Sequence, residues 1–202
     1  MFLLLAVPVG IIAGLCRGGR ISGLGHFHLR RWQYAFVGLL IQVPIFSSAL
    51  ADNPLLVRYG IGLYVLSFVL LFVTLFSNWQ WFGVPVLTMG AVLNFVAIAA
   101  NGGHMPVSGN QMQSTLGAAQ VEAVQAGQTL TNVAVATQHT RLAFLGDLIP
   151  MPSWLPFANV FSVGDAIIAF GAILIIQATM CVPKGAAAPL PPTELAAVRR
   201  DG

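Results

Sequence analysis

The polar side chains that could do chemistry in this sequence are few, and most lie in its second half. Asp147 and Asp165 are single carboxylates in apolar surroundings, and Asn94 and His104 flank the end of an apolar segment. If these groups meet, two carboxylates, amides and an imidazole could coordinate a cation, bind an amine or relay a proton. The candidate polar site comprises Asn94, Asn101, Gly102, Gly103, His104, Asp147, Ser162 and Asp165.

Each of these motifs also has a purely structural interpretation. The two glycines after Asn101, with a proline close behind, are typical of a helix end, although they would equally expose backbone amides beside Asn and His side chains. Ser162 precedes Asp165 by three residues, which predicts a capping box at a helix start on the membrane boundary. A crossing that began at Leu155 would instead place Asp165 about 15 Å deep. A lone acid such as Asp147 commonly satisfies nearby backbone amides.

No motif predicts a metal or a cofactor. The chain has no His-x-x-x-His spacing and no paired-cysteine motif, which are typical of zinc sites. The glycine-rich stretch 17–25 lacks the spacing of a phosphate-binding loop. No nucleophile stands in a recognisable arrangement with a base. We therefore expect no metal site, no cofactor and no enzymatic activity, although a lipid-directed or quinone-directed enzyme stays an alternative.

The composition indicates that membrane helices position these residues. Of 202 residues, 57% are apolar and only 7% are charged, namely nine basic and six acidic residues. The mean hydropathy is +0.83, and an average soluble domain has about 25% charged residues. So few charges cannot cover the surface of a water-soluble fold. Secreted disulfide scaffolds, nucleic-acid-binding modules and ordinary cytosolic enzymes are excluded.

Five apolar segments predict an all-α fold, a polytopic transmembrane bundle of about five helices. A helix needs about 20 apolar residues to span the hydrocarbon core. No basic residue precedes the first segment, so we expect it to be retained rather than cleaved as a signal peptide. The glycines Gly10, Gly14, Gly60 and Gly62 predict close helix approach. The segments are 1–16, 32–51, 59–76, 81–100 and 162–182.

The basic residues predict the orientation of the bundle. Four arginines follow the first segment, and three basic residues lie in the C-terminal tail, so that five crossings place these seven of nine on one side. The positive-inside rule makes that side cytoplasmic and the N-terminus external. Basic residues beside membrane helices also attract anionic head groups. The residues expected to contact lipid head groups are Arg17, Arg20, Arg30 and Arg31.

The sequence predicts one domain followed by a tail. Residues 1–183 form the helix bundle, and the outer-side loop 101–155 contains a short helix at 118–126. The apolar stretch 142–154 is too short to cross and is expected to lie in the interface or over the bundle. Residues 184–202 are rich in Ala and Pro, which predicts a disordered cytoplasmic tail.

Four segments resemble a known family. They are Gly-Gly-Arg-Ile at 18–21, Asn-Gly-Gly-His-Met-Pro-Val-Ser at 101–108, Leu-Gly-Asp-Leu-Ile-Pro at 145–150 and Phe-Ser-Val-Gly-Asp at 161–165. Together they resemble the small bacterial membrane proteins of domain-of-unknown-function family 5317, over most of residues 1–182. The resemblance implies several helices in the bacterial inner membrane and assigns no activity and no catalytic residue.

Three functions are compatible with these features. The small size and the lack of a reaction motif favour a non-enzymatic accessory or scaffold component of a membrane assembly. The polar outer face would suit a small transporter or channel, and His104 with Asp147 or Asp165 would suit a membrane enzyme acting on lipid or quinone. The expected partners are membrane lipids, with other membrane subunits or a second copy as further candidates and no nucleic acid.

Overall fold

The computed structural model describes residues 3–45, 47, 50, 53–116, 122, 133–155 and 158–181. Within these ranges the chain forms six α-helices, two short 3-10 helices and four short strands. The 3-10 helices are Ile21–His26 and Ala143–Leu145. The α-helices are α1 (Leu3–Cys16), α2 (Trp32–Ile45), α3 (Pro54–Ser77), α4 (Val84–Ala100), α5 (Gly109–Leu116) and α6 (Val163–Met180).

The five predicted apolar segments all form helices. The bounds of α1, α4 and α6 fall within a few residues of the predicted ones, and α2 ends at Ile45 rather than at 51. Residues 1, 2, 46, 48, 49, 51 and 182 of the predicted segments lie outside the described residues. Helix α3 begins five residues earlier than predicted. Asn53 caps it by accepting a hydrogen bond from the Leu55 amide, 3.0 Å away, and Pro54 occupies the first turn, where its missing N–H costs nothing.

Two of the described helices are long and apolar enough to cross a membrane. These stretches are Arg58–Ser77 and Val163–Met180, judged by length and composition. Helices α1, α2 and α4 are apolar but shorter, with 14, 14 and 17 residues. A short helix, α5, lies just before the predicted one at 118–126, which falls outside the described residues except for Glu122. The predicted tail at 184–202 also lies outside them.

The prediction of an all-α fold is wrong in one respect, because four strands form a small mixed sheet. The strands are β1 (Met105–Val107), β2 (Val133–Val135), β3 (Asp147–Pro150) and β4 (Val160–Ser162), in the order β2-β1-β3-β4. Strand β1 is parallel to β2 and β3, and β3 is antiparallel to β4. Strands of three or four residues are too short to show an alternating pattern in the sequence.

Helix α6 packs against both α1 and α4. A Cβ atom on Gly10 or Gly14 would meet the side chains of Ile176 or Met180 of α6 at 2.9 Å or less, so these two glycines permit the predicted close approach. Among the described residues, no atom would meet a Cβ on Gly60 or Gly62, so the prediction of close packing there is wrong. Both of these glycines lie on α3, which pairs with α2 through other residues.

The two ends of the bundle differ in chemistry. At one end, called here the arginine end, the Arg20 amide donates to the Met180 carbonyl, and Arg30 is bonded to Asn78, which closes α3. At the other, the sheet end, β4 leads directly into α6 and β1 follows α4. In the stretch 142–154, Leu145 joins Phe68 and Ile98 in a buried cluster. This stretch therefore packs over the bundle, which is one of the two predicted alternatives.

Candidate functional site

The start of α6 carries the central part of the candidate site. The Ser162 Oγ accepts a hydrogen bond from the Asp165 amide at 2.9 Å, and the Asp165 Oδ2 accepts one from the Ser162 amide at 3.2 Å. This is the capping box that the sequence predicted. It satisfies two backbone N–H groups at the helix start and holds the Asp165 carboxylate in a fixed position. Ser162 is completely buried.

Asn94 of α4 completes a ring of hydrogen bonds with these two residues. Its Nδ2 donates to the Asp165 Oδ1 at 2.8 Å, and its Oδ1 accepts from the Ser162 Oγ at 2.9 Å. The contact exists because Gly164 has no side chain, since a Cβ atom there would overlap the Asn94 amide. Three of the predicted site residues are therefore brought together by the close approach of α4 and α6.

Asp147 is the fourth member of this cluster. It lies on β3 with Ser162 as its Cα partner on β4, and its carbonyl accepts from the Ser108 amide at 3.0 Å. Its side chain is partly buried, and among the described residues no hydrogen-bond donor reaches its carboxyl group. Burial and the nearby Asp165 carboxylate raise the pKa of Asp147 to about 7. This carboxyl can therefore gain or lose a proton near neutral pH.

The other predicted site residues do not join the cluster. Asn101 fastens the loop instead: its Nδ2 donates to the carbonyls of Ala97 and Arg141, and its Oδ1 accepts from the Arg141 amide at 3.0 Å. Gly102 and Gly103 have φ angles of 67° and 93° and end α4. The contacts of Asn101, Gly102 and Gly103 are those of a helix end, the structural interpretation of this motif.

His104 contributes only a backbone bond in the described part of the chain. Its amide donates to the Asn101 carbonyl at 3.3 Å, which continues the turn after α4. No hydrogen bond links its imidazole to Asp147 or Asp165 among the described residues. The enzyme hypothesis needs His104 to act with an aspartate as acid and base. No hydrogen bond between the described residues supports that pairing.

The two carboxyl groups of the cluster differ in their hydrogen bonding. Within the described ranges, no group of three or more His, Cys, Asp and Glu side chains is arranged to hold a metal ion. One oxygen of Asp165 is bonded to Asn94 and the other to the Ser162 amide, so this carboxylate is engaged structurally. In the described part of the chain no group donates a hydrogen bond to the carboxyl of Asp147, whose pKa is raised to about 7.

The four arginines expected at lipid head groups occupy the arginine end with different roles. The Arg17 guanidinium donates to the Gln177 Oε1 at 3.0 Å, and Arg20 bonds through its backbone. Arg30 is held by backbone hydrogen bonds to Asn78. Arg31 makes one long side-chain contact, 3.5 Å from its Nη1 to the Ser77 Oγ.

The sequence analysis missed several polar side chains that join helices. Gln177, within α6, donates from its Nε2 to the Gly10 carbonyl at 2.7 Å. Gln42 of α2 donates to the Ser67 Oγ of α3 at 2.8 Å, and Thr74 and Asn78 bond the loop before α2. An amide or hydroxyl in an apolar helix is the signal that could have found them, because such groups must find partners there.

Comparison with known proteins identifies a family and no described function. No curated protein and no solved structure matches the chain. The sequence model of DUF5317, described as a family of unknown function, matches residues 26–177, which include three of the four segments that carry the resemblance and leave out 18–21. Since this match covers most of the chain, the protein belongs to the family DUF5317.

Proposed function

We propose that this chain is a multi-pass protein of the bacterial inner membrane that serves as a non-enzymatic component of a membrane assembly. The observation that carries the proposal is the apolar character of the exposed helix faces. Ile12, Leu39 and Ile61 are each 60% exposed, and they lie on α1, α2 and α3. Such surface is stable when lipid chains or apolar partner helices cover it.

The two ends of the bundle support the orientation expected from the sequence. Four arginines gather at the arginine end, which favours a cytoplasmic position, with the sheet end outside. Trp32 opens α2 and Trp79 follows α3, both at the arginine end, and both are exposed. Trp154, in the loop at the sheet end, is 80% exposed. Exposed tryptophans at both ends are typical of the two membrane interfaces.

The use of the polar groups supports a structural rather than a catalytic role. Ser162, Asp165 and Asn94 are bonded to one another, and Asn101 is bonded to the loop. A catalytic site would keep a nucleophile or a base directed at substrate. In the described residues these groups instead fix the relative positions of α4, α6 and the sheet.

Helix α2 is the best candidate surface for a partner subunit. Gly38 is its one buried residue in the described part of the chain, and its contact there is with α3. Leu39, Leu40 and Val43 are all more than half exposed. A helix that packs on one narrow stripe leaves most of its surface for a neighbouring membrane helix.

Two measurements test this function. After carbonate washing, the protein should stay in the membrane fraction, and an Arg141→Cys variant without the native cysteines should react with an impermeant thiol reagent from outside. Purified in mild detergent, the protein should carry a stoichiometric partner or a second copy. Leu39→Trp with Val43→Trp should release that partner, whereas Ile12→Trp on α1 should retain it. A monomeric, partner-free protein in the membrane extract would contradict the assembly role.

A small transporter with a polar outer-face site is the second candidate, favoured by Asp147. A carboxyl whose pKa lies near 7 can bind and release a proton under physiological conditions. Proteoliposomes containing the protein would then show a proton or cation flux that Asp147→Asn abolishes and Glu122→Gln retains. A wild-type flux no larger than that of protein-free liposomes, or one that Asp147→Asn leaves unchanged, would count against transport.

A further inference from the structure

A groove beside α3 at the arginine end combines an apolar wall with an open cationic side chain. Its volume is about 500 Å³. Phe72 and Val73 follow Val69 by three and four residues, and Phe76 follows them by four and three. The four side chains therefore share one face of the helix. The groove is lined by Arg31, Val69, Phe72, Val73, Phe76 and Ser77.

The backbone that carries Arg31 is fixed by buried side chains. Asn78, completely buried, donates to the Arg30 carbonyl and accepts from the Arg30 amide, both at 2.8 Å. Thr74, also buried, donates to the Arg31 carbonyl at 3.1 Å. Arg31 is held at φ 58°, a conformation that non-glycine residues rarely adopt. These contacts keep the arginine at the mouth of the groove.

Among the described residues, the guanidinium of Arg31 has one hydrogen-bonding partner. Arginine has five N–H donors, and one of them makes the 3.5 Å contact with the Ser77 hydroxyl. Two carboxylates of the described residues, those of Asp147 and Asp165, lie at the sheet end, the opposite end of the bundle from Arg31. No ion pair to Arg31 exists among the described residues. An anion at the mouth of the groove would match the charge and the donors of this side chain.

We propose that this groove binds an anionic phospholipid, with its phosphate on Arg31 and one acyl chain along Val69–Phe76. The proposal rests on the membrane location proposed above. The apolar wall runs over eight residues, about 10 Å along the helix, which is about a third of the hydrocarbon thickness. An apolar partner helix would match the wall but would leave the cation at its mouth without an anion, so the charge favours a lipid. A basic residue at the end of a membrane helix attracts anionic head groups.

Lipid binding to the detergent-purified, delipidated protein tests the proposal. Native mass spectrometry should show phosphatidylglycerol bound more tightly than phosphatidylcholine of the same chain length. Arg31→Gln should weaken phosphatidylglycerol binding about fivefold, as expected for one basic residue at the membrane surface. Arg20→Gln is the matched control, because Arg20 lies at the same end outside the groove. Phe76→Ala should also weaken binding, whereas Phe170→Ala, an equally exposed change on α6, should not.

The outcomes separate this site from simpler attraction and from the proposed function. Equal weakening by Arg31→Gln and Arg20→Gln would overturn the site and indicate diffuse attraction. Equal affinity for the two lipids would overturn it as well, and displacement of the lipid by millimolar inorganic phosphate would identify free phosphate as the ligand. Carbonate extraction reports on the membrane location independently, because all these variants should stay in the membrane fraction whether or not lipid binds the groove.

Discussion

Two helix pairs of this molecule differ in how many glycines bring their backbones together. Helices α4 and α6 meet through glycines: a Cβ atom on Gly171 would lie 2.5 Å from the Leu87 amide nitrogen, and one on Gly90 would lie 2.5 Å from the Gly164 carbonyl oxygen. Helices α2 and α3 meet at a single glycine, Gly38, and through the side-chain hydrogen bond from Gln42 to Ser67. Glycines on both helices therefore form the first contact, whereas the second depends on one glycine and a polar bond between side chains.

The difference decides where a polar site can form. On α4 and α6 the backbones are so close that Asn94 reaches both Ser162 and Asp165. On α2 and α3 the bond between Gln42 and Ser67 joins the helices, and the groove at Arg31 lies on α3 beside the residue that precedes α2. Close packing by small residues therefore assembles the acidic cluster, which consists of Asn94, Asp147, Ser162 and Asp165. Hydrogen bonds from Thr74 and Asn78 to the backbone before α2 position Arg31.

The largest expected effect comes from breaking the glycine-packed pair. Gly171→Ala should destabilise the protein by about 3 kcal/mol, because its Cβ would meet backbone atoms of Leu87 that cannot move aside. Unfolding in mixed detergent micelles, followed by circular dichroism, measures this. Gly60→Ala is the matched control on α3, with open space around it, and should be neutral or stabilising by about 0.5–1 kcal/mol. Similar losses in both variants would refute the packing role.

Loss of the hydrogen bonds between Asn78, at the end of α3, and Arg30, just before α2, gives the next largest effect. Asn78→Ala removes the partners of the Arg30 amide and carbonyl and should destabilise the protein by about 2 kcal/mol. The same unfolding assay applies, and the variant should also lose the lipid selectivity proposed for Arg31. Asn110→Ala, an exposed change on α5, serves as the control. A variant as stable as the wild type would mean that water replaces these bonds.

The acidic cluster gives a pH-dependent effect on the order of 1 kcal/mol, since Asp147 is only partly buried. Its pKa is raised from 3.8 to about 7 in the folded protein, so between these values the folded state keeps a proton that the unfolded state has lost. The free energy of unfolding should therefore fall as the pH rises from 4 to 7. Asp147→Asn should remove this fall, and Glu122→Gln should preserve it. An unchanged slope in Asp147→Asn would contradict the assigned pKa.

The smallest expected effect belongs to a single polar bond within the α2–α3 pair. Gln42→Leu removes the donor to the Ser67 Oγ and should cost about 0.6 kcal/mol, the average for such bonds in membrane helices. Gln33→Leu, at an exposed position of α2, makes the same chemical change without losing an interhelical bond. A double variant with Ser67→Ala should show that the two losses are coupled. Additive losses would mean that the pair does not interact.

The helices and the capping box could be predicted because their signals are local. Apolar runs marked the five long helices, and the spacing of Ser162 and Asp165 marked the start of α6. The strands could not be predicted, since β1 and β2 have three residues each and pair across a long loop. The prediction of close approach was right for Gly10 and Gly14, which face α6, and wrong for Gly60 and Gly62 on α3. Which face of a helix meets a neighbour depends on the whole bundle and not on the local sequence.

The sequence by itself determined the helix-forming segments, the ends of α4 and α6 and the family, because each depends on neighbouring residues or on a continuous motif. The tertiary structure decided that Asp147 joins Asn94, Ser162 and Asp165, whereas Asn101 binds Arg141 and His104 stays apart. It also decided which arginine stays open at a groove. These are contacts between residues distant in sequence, and they follow from how closely the helix backbones approach, which no local pattern of residues specifies.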